Sequence, residues 1–227
     1  MHQGSPVQPT QGPFLYAMTP DLRQRVFYAI LDTQYVPIAG WTAKCRALIK
    51  GGADLIQVRA KHQTPERCGE LIDAVLPLTR AAGIPLIVND HLDIALQHSD
   101  VGLHIGQEDA SPEACRRRLG PQRILGLSTH SIDQAQWAIS LGNTLSYFAV
   151  GPVFATQTKP TYVPVGLELV RRVAALNPSQ PFYAIGGISR CTVKKVIEAG
   201  AQRIVVVSDV LNAADTAKAV QGIKKIL

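Results

Sequence analysis

The chain has 227 residues, of which 46% are hydrophobic, and its formal net charge at pH 7 is +6. That length suits one large domain or two small ones, and the apolar content is sufficient for a substantial core. No run of about 18 apolar residues occurs, so a membrane-spanning helix is not expected. The basic residues form short clusters on separate predicted helices and aromatic residues are few, which argues against a nucleic-acid-binding face.

The N-terminal segment, residues 1–25, is rich in Pro, Gln and Gly and is predicted to be a tail with a short helix near its end. It lacks a charged start followed by a long apolar run, so it does not resemble a secretory signal, and a cytoplasmic protein is expected. The four cysteines, at positions 45, 68, 115 and 191, all fall in segments predicted as helix, and none forms a CxxC pair. Reduced structural thiols are therefore expected.

Eight short β-rich apolar runs recur along the chain, and segments with helical spacing lie between most of them. The runs are VFYAIL (26–31), LIQV (55–58), PLIV (85–88), VGLHI (101–105), ILGLS (124–128), YFAV (147–150), FYAI (182–185) and IVVV (204–207). Strands that alternate with helices predict βαβ units and a parallel sheet.

Eight such units in about 200 residues favour a (β/α)8 TIM barrel, an α/β fold, formed as a single domain over residues 26–227. The alternative is an open doubly wound sheet, which usually carries a Gly-rich fingerprint after its first strand. Here the first strand continues into LDTQYVP, which has no such fingerprint. The barrel is therefore the predicted architecture.

Polar residues follow the predicted strands at their carboxyl ends, where barrel enzymes build their sites. Gln57, Arg59 and Lys61 alternate with other residues after strand two, so all three side chains should point inward over the barrel mouth. Because three unpaired polar groups there would be costly, a binding role is favoured over a buried ion-pair cluster. Further polar residues follow the later strands: Asn89, Asp90, His104, Gln107, Asp109, Ser128, Thr156, Thr158, Lys159, Ser208 and Asp209.

Two acids, Asp90 and Asp109, follow neighbouring strands, which lie about 4.8 Å apart in a sheet. Two nearby carboxylates repel each other unless a proton or a cation lies between them. Mg²⁺ commonly binds few carboxylates and completes its shell with water and substrate phosphates, so the pair is expected to hold Mg²⁺ on a diphosphate. The alternative is that Asp90 caps the helix DIALQ and Asp109 caps PEACRRR. Capping would not explain why the acids converge with Arg59, Lys61 and Lys159.

A second anion site is expected after strands seven and eight, at Gly186-Gly187 and at the backbone after Val207. Loops at that position, with a helix N-terminus, often bind a phosphate in this fold. Thr156 and Thr158 could donate hydroxyl groups to the same phosphate.

The sequence leaves the roles of two histidines open. His104 lies within strand four, where a satisfied core residue and a catalytic residue are equally consistent with the pattern. His130, beyond Ser128, is interpreted as a loop residue rather than an acid-base group.

The chain resembles the thiamine-phosphate synthase family in seven motifs, which follow the family's order from about residue 27 to residue 209. They are QVRAK (57–61), VND (88–90), GLHIGQED (102–109), LGLSTHS (125–131), VGPVFATQTK (150–159), AIGGIS (184–189) and VVVSD (205–209). The resemblance implies a transferase that joins hydroxymethylpyrimidine diphosphate to thiazole phosphate, with Mg²⁺, and gives thiamine phosphate and pyrophosphate. It also suggests a homodimer that takes small phosphorylated substrates.

The motif positions imply a role for each residue. Gln57 would contact the pyrimidine, His104 would line its pocket, and Asp90 and Asp109 would bind Mg²⁺. The diphosphate would be held by Arg59, Lys61, Asn89, Ser128 and Lys159, of which all but Asn89 form the predicted catalytic set. The thiazole phosphate would be surrounded by Thr156, Thr158, Gly187 and Ser208, beside Gly186 and Val207.

The chain departs from the family pattern in three places. Ala60 replaces an acid that is frequent between the arginine and the lysine, and Leu31-Asp32 replaces Thr-Asp after strand one. Asp209 stands where a small residue is usual, and it would either point away to cap the last helix or weaken phosphate binding. The alternative functions are a thiazole tautomerase, which would not need the two acids, and a non-catalytic binder of thiamine intermediates.

Overall fold

A parallel barrel of eight strands closes in chain order in the computed structural model, which describes residues 21–158 and 162–227. The strands are β1 (Phe27–Asp32), β2 (Leu55–Arg59), β3 (Leu86–Asn89), β4 (Gly102–Ile105), β5 (Leu125–Thr129), β6 (Tyr147–Val150), β7 (Phe182–Ile185) and β8 (Ile204–Val206). Each pairs with its neighbours in sequence, and β8 pairs with β1. The prediction of a (β/α)8 barrel is confirmed, and each strand lies within one residue of its predicted bounds.

Helices follow the strands around the outside of the barrel. They are α1 (Trp41–Gly51), α2 (Pro65–Ala81), α3 (Leu92–Gln97), α4 (Pro112–Leu119), α5 (Ile132–Ser140), α6 (Gly166–Ala175), α7 (Val193–Glu198), α8 (Ser208–Leu211) and α9 (Thr216–Lys224). Local signals fix several starts: Thr64 and Ser111 each accept a hydrogen bond from the third residue after them, and a proline follows each. Within the two described ranges, no helix is both long enough and apolar enough to span a membrane.

Several expectations about helix ends and the tail need correction or lie outside the described residues. Ser111, not Asp109, caps α4, and α3 has no side-chain cap, so capping explains neither Asp109 nor Asp90. The last helix is capped by Asp215, not by Asp209. In the predicted tail, a short 3-10 helix covers Leu22–Gln24, and residues 1–20 lie outside the described part of the chain.

Cys191 does not lie in a helix, contrary to the prediction that all four cysteines do. It lies in the turn before α7, where its backbone N–H donates to Ser189 Oγ and Ser189 N–H donates to Thr192 Oγ1. The N–H groups of Thr192 and Val193 donate to the Ser189 carbonyl, so these residues form a turn and the helix begins only at Val193. The other three cysteines are buried in helices, and all four are free thiols.

Alternation along the strands separates the two faces of the barrel wall. In β1, Phe27, Ala29 and Leu31 pack against the helices, while Tyr28 and Ile30 belong to the separate cluster inside the barrel. There Tyr28 meets the rings of Tyr147 and Tyr183 edge to face, with centroids 5.8 and 5.5 Å away. All three rings are buried, so they fill this part of the barrel interior.

Candidate functional site

A cavity lies at the carboxyl ends of the strands and brings most of the predicted site residues together. The predicted residues that line it are Gln57, Arg59, Asn89, His104, Ser128, Thr156, Thr158, Gly186, Gly187, Val207 and Ser208. Lys61 lies in an adjoining pocket that shares Arg59 and Thr158 with this cavity. Asp90 and Asp109 lie outside its lining, after β3 and β4. Lys159 lies outside the described residues.

The β2 side of the cavity carries two oriented polar groups. The Gln57 side chain donates from Nε2 to Asn89 Oδ1 at 3.0 Å. The Arg59 guanidinium donates from Nη1 to Asp32 Oδ2 at 2.6 Å, and the Asp32 side chain is fully buried. Asp32 and Arg59 are register partners at the ends of β1 and β2, so the barrel itself places them side by side. A buried carboxylate thereby fixes one orientation of the arginine fork.

The loop after β1 holds the loop after β6. The Tyr35 hydroxyl lies 2.9 Å from Thr158 Oγ1, and the Gln34 side chain donates to the Gln157 carbonyl at 3.1 Å. Arg59 Nη2 also donates to the Thr158 carbonyl at 3.4 Å. These contacts position Thr158, the residue that precedes Lys159 in the sequence.

The two predicted metal ligands are tied to the same end of β4. Asp90 has a left-handed backbone, with φ of 67°, and its N–H donates to the His104 carbonyl. The Asp109 carboxylate accepts the N–H of Gly106 at 2.7 Å. The Asp90 backbone and the Asp109 carboxylate therefore both contact residues at the carboxyl end of β4. Lys61 Nζ lies 2.6 Å from Asp90 Oδ2 and balances its charge.

The two acids at this rim supply oxygen donors of the kind that a magnesium ion takes. Among residues 21–158 and 162–227, no group of three or more His, Cys, Asp and Glu side chains could hold a metal. Two carboxylates alone make an incomplete shell, and Mg²⁺ typically uses one or two carboxylates with water and phosphate oxygens. Asp90 and Asp109 are therefore suitable in chemistry and number.

A chain of hydrogen bonds runs from the barrel interior to the cavity. Tyr28 and Tyr147 hydroxyls lie 2.9 Å apart, and His104 places Nδ1 2.9 Å from the Tyr147 hydroxyl and Nε2 2.9 Å from Ser128 Oγ. Burial raises the pKa of both tyrosines well above the ordinary value, so both hydroxyl groups keep their protons. Gly126 leaves room for Tyr147, because a Cβ there would lie 2.1 Å from the ring. His104 is thus a cavity-lining residue whose two ring nitrogens both have partners.

The β7 loop approaches the β6 loop too closely for any residue but glycine. Gly186 and Gly187 have φ of 100° and 63°, and a Cβ would lie 2.4 Å from Pro152 Cα or 2.6 Å from the Ala155 carbonyl oxygen, respectively. The close approach places Gly187 beside Thr156 in the cavity lining. Backbone groups are therefore exposed to the cavity where the phosphate was predicted.

The sequence analysis gave Tyr28 and Asp32 no role in the site, and it interpreted His130 as a loop residue, which it is. Tyr28 lines the cavity, and its signal was its inward parity with Ile30 in β1. Asp32 continues that parity. His130 also lines the cavity, and its Nδ1–H donates to the Gly151 carbonyl, a contact that no spacing pattern in the sequence indicates.

Comparison with known proteins gives a consistent family. The profile described as thiamine monophosphate synthase matches residues 27–210. A thiamine-phosphate synthase of Roseiflexus sp. (strain RS-1) is 39% identical over 89% of this chain and 85% of its own length. That of Chloroflexus aurantiacus is 40% identical over 88% of this chain and 91% of its own length.

A solved structure shares both the fold and the sequence pattern. The thiamine phosphate pyrophosphorylase from Pyrococcus furiosus superposes with a TM-score of 0.79 at 30% identity, over 89% of this chain and 95% of its own. The family profile, which matches residues 27–210, spans all eight strands of the barrel. The chain belongs to the thiamine monophosphate synthase family.

Proposed function

We infer that this chain is a thiamine-phosphate synthase, a transferase that joins hydroxymethylpyrimidine diphosphate to thiazole phosphate and releases pyrophosphate. One observation carries the inference: a single cavity is lined both by the polar groups of β2–β5 and by the threonines, glycines and serine that follow β6, β7 and β8. Two phosphorylated substrates could therefore meet with their reacting atoms between these two sets.

The pyrimidine is proposed to bind against Gln57. Because the Nε2 of Gln57 donates to Asn89, the amide is oriented, and its carbonyl oxygen can accept a hydrogen bond from the amino group of the pyrimidine. Tyr28 and Ile30 provide apolar surface beneath the ring, and His104 lies at the edge of the same pocket. The lining thus combines a flat apolar floor with one fixed polar group, as small-molecule sites commonly do.

The diphosphate is proposed to bind to the cations around the rim. Arg59, held by Asp32, offers an oriented guanidinium, and Lys61 can turn from Asp90 to a phosphate oxygen. Asn89 and the Ser128 hydroxyl would donate hydrogen bonds, and Lys159 is proposed from its place in the family motif. When bound by Asp90 and Asp109, Mg²⁺ would supply further positive charge to the leaving group.

The thiazole phosphate is proposed to lie at the opposite side of the cavity. Thr156 and Thr158 would donate hydroxyl groups there, beside the exposed backbone of Gly186-Gly187. Val207 would contribute backbone and Ser208 its hydroxyl group. The supporting observation is that all of these residues line the same cavity.

The chemistry follows from this placement. The C–O bond between the pyrimidine methylene carbon and the diphosphate breaks, pyrophosphate leaves with the electron pair, and the ring amino group stabilises the methylene cation. The thiazole nitrogen then donates its lone pair to that carbon and forms the new C–N bond. The protein's task is to hold the leaving group's charge and to align the two rings, so no protein nucleophile is needed.

The proposal also covers the oligomeric state, the kind of substrate and the cellular location. The family resemblance supports a homodimer. The substrates are small molecules, in keeping with the size of the cavity. A cytoplasmic location stays a prediction of the sequence.

The test is turnover by the purified protein with both substrates and Mg²⁺. Pyrophosphate and thiamine phosphate should appear in equal amounts, and omission of either substrate should abolish both. Asp90→Asn should lose most of this activity, whereas Asp100→Asn, at an exposed surface ion pair with Arg80, should retain it. If calorimetry shows that both substrates bind while no pyrophosphate is released, the chain is a non-catalytic binder and the proposal fails.

A further inference from the structure

An ion pair lies beside the proposed phosphate pocket and takes no part in the mechanism above. A second cleft shares Thr156, Gly187 and Ser208 with the cavity and is also lined by Arg190 and Asp209. Asp209 directly follows Ser208, the proposed phosphate ligand, so its carboxylate stands at the edge of the pocket. Its side chain is largely buried, with 18% of its surface exposed.

A carboxylate in this position opposes the binding of a phosphate. A phosphate monoester carries about −1.5 to −2 charges at neutral pH, and like charges at a partly buried site are poorly screened by solvent. The repulsion would weaken binding of the thiazole phosphate unless a cation compensated Asp209. Among the described residues that line this second cleft, Arg190 is the one cationic side chain.

Arg190 donates three hydrogen bonds to the Asp209 carboxylate. Its backbone N–H and its Nε each donate to Asp209 Oδ2, at 3.2 and 3.0 Å, and its Nη2 donates to Oδ1 at 3.4 Å. Both carboxylate oxygens are therefore turned towards the arginine. The Arg190 side chain is half exposed and contributes nothing to the buried core.

We propose that Arg190 is a positioning and charge-compensating residue that neutralises Asp209 and so allows a phosphorylated acceptor to occupy the adjacent pocket. The inference rests on the proposed function, because it assigns the acceptor's phosphate to that pocket. Arg190 acts through Asp209 and is not itself a ligand of the phosphate.

The test is a double-mutant cycle on the KM for thiazole phosphate. Arg190→Ala should raise this KM about tenfold, with kcat at saturation and the KM for the pyrimidine diphosphate within about twofold of the parent protein. Arg190→Ala/Asp209→Ala should return the KM to within about threefold, because the uncompensated charge is gone. Arg190→Lys should restore most of the affinity. Added salt should reduce the defect of Arg190→Ala, since salt screens the exposed part of the repulsion.

The matched control is Arg171→Ala, which removes the same charge from an exposed i,i+3 pair with Glu168 on α6 and should leave every constant unchanged. The proposal is overturned if Arg190→Ala keeps the parent KM, or if the double variant is as impaired as Arg190→Ala. If Arg190→Ala does not fold, Arg190→Lys and Asp209→Asn are compared instead, and both should keep the KM within about threefold. A larger rise with either would also overturn the proposal. Complete absence of turnover in the parent protein would refute the proposed function itself, which is a different result.

Discussion

Loss of the Asp32 carboxylate should lower both the stability and the activity of the protein, because this buried group makes two contacts. Its Oδ2 binds the Arg59 guanidinium at 2.6 Å, and its Oδ1 accepts the Gln34 N–H at 2.8 Å. The side chain of Arg59 is only 9% exposed. In Asp32→Ala, that guanidinium would remain buried without its counter-charge, and the loop that carries Gln34 and Tyr35 would lose an anchor.

The expected size of the effect follows from burial. Removal of one partner of a buried ion pair typically costs about 3–5 kcal/mol of the free energy of unfolding. For a domain of this size each kcal/mol lowers Tm by about 2–4 °C, so Tm should fall by roughly 6–20 °C. Misplacement of Arg59 at the leaving group should lower kcat/KM by about 10²-fold.

Calorimetric or fluorescence melting and the pyrophosphate-release assay measure these two effects. The matched control is Asp100→Ala, which breaks a pair of similar length, 2.6 Å, in which both side chains are about half exposed. Exposed pairs contribute about 0–1 kcal/mol, so this control should change Tm by at most a few degrees and leave activity intact. If Asp32→Ala melts no lower than Asp100→Ala, burial does not decide the strength of this pair and the reasoning is refuted.

The remaining predictions concern the rim, the glycine pair and the thiols. Asp90→Ala and Lys159→Ala should each lower kcat by roughly 10²–10³-fold, the scale of losing one preorganised charge stabiliser, and full turnover by Lys159→Ala would exclude its leaving-group role. Gly187→Ala should raise the KM for thiazole phosphate, and it should lower Tm more than the control Gly83→Ala does. Both glycines have left-handed backbones, but of the two only Gly187 has close neighbours. Equal effects of the two substitutions would contradict this. A thiol reagent should react with the exposed Cys191 in the native protein and with all four cysteines after denaturation. The other three cysteines are buried, and burial raises the pKa of each of these thiols. Rapid reaction of more than one thiol in the native protein would contradict this prediction.

The fold could be predicted from the sequence because its signals are local and repeated. Each barrel strand is a short β-rich run, and segments with helical spacing lie between most of these runs. Alternation then predicted that Gln57 and Arg59 face the barrel interior, and both line the cavity. The prediction failed for Cys191, which lies in a turn before the helix, where Ser189 Oγ and Thr192 Oγ1 accept backbone N–H groups.

The parts of the site that escaped prediction depend on contacts between distant segments. Asp32 meets Arg59 through strand register, and Arg190 meets Asp209 across the ends of β7 and β8. Neither pair has a spacing that a single sequence can reveal. The hydrogen bond between Tyr35 and Thr158 joins residues 123 positions apart in the chain, and the periodicity of the sequence does not predict it either.

The most direct test of the account is a crystal structure of the protein with Mg²⁺ and pyrophosphate bound. We expect one ion within about 2.0–2.1 Å of carboxylate oxygens from both Asp90 and Asp109, with pyrophosphate oxygens completing its shell. Arg59 and Lys61 should contact the remaining pyrophosphate oxygens. An ion bound elsewhere, or carboxylates turned to different sides of the barrel mouth with pyrophosphate present, would contradict it.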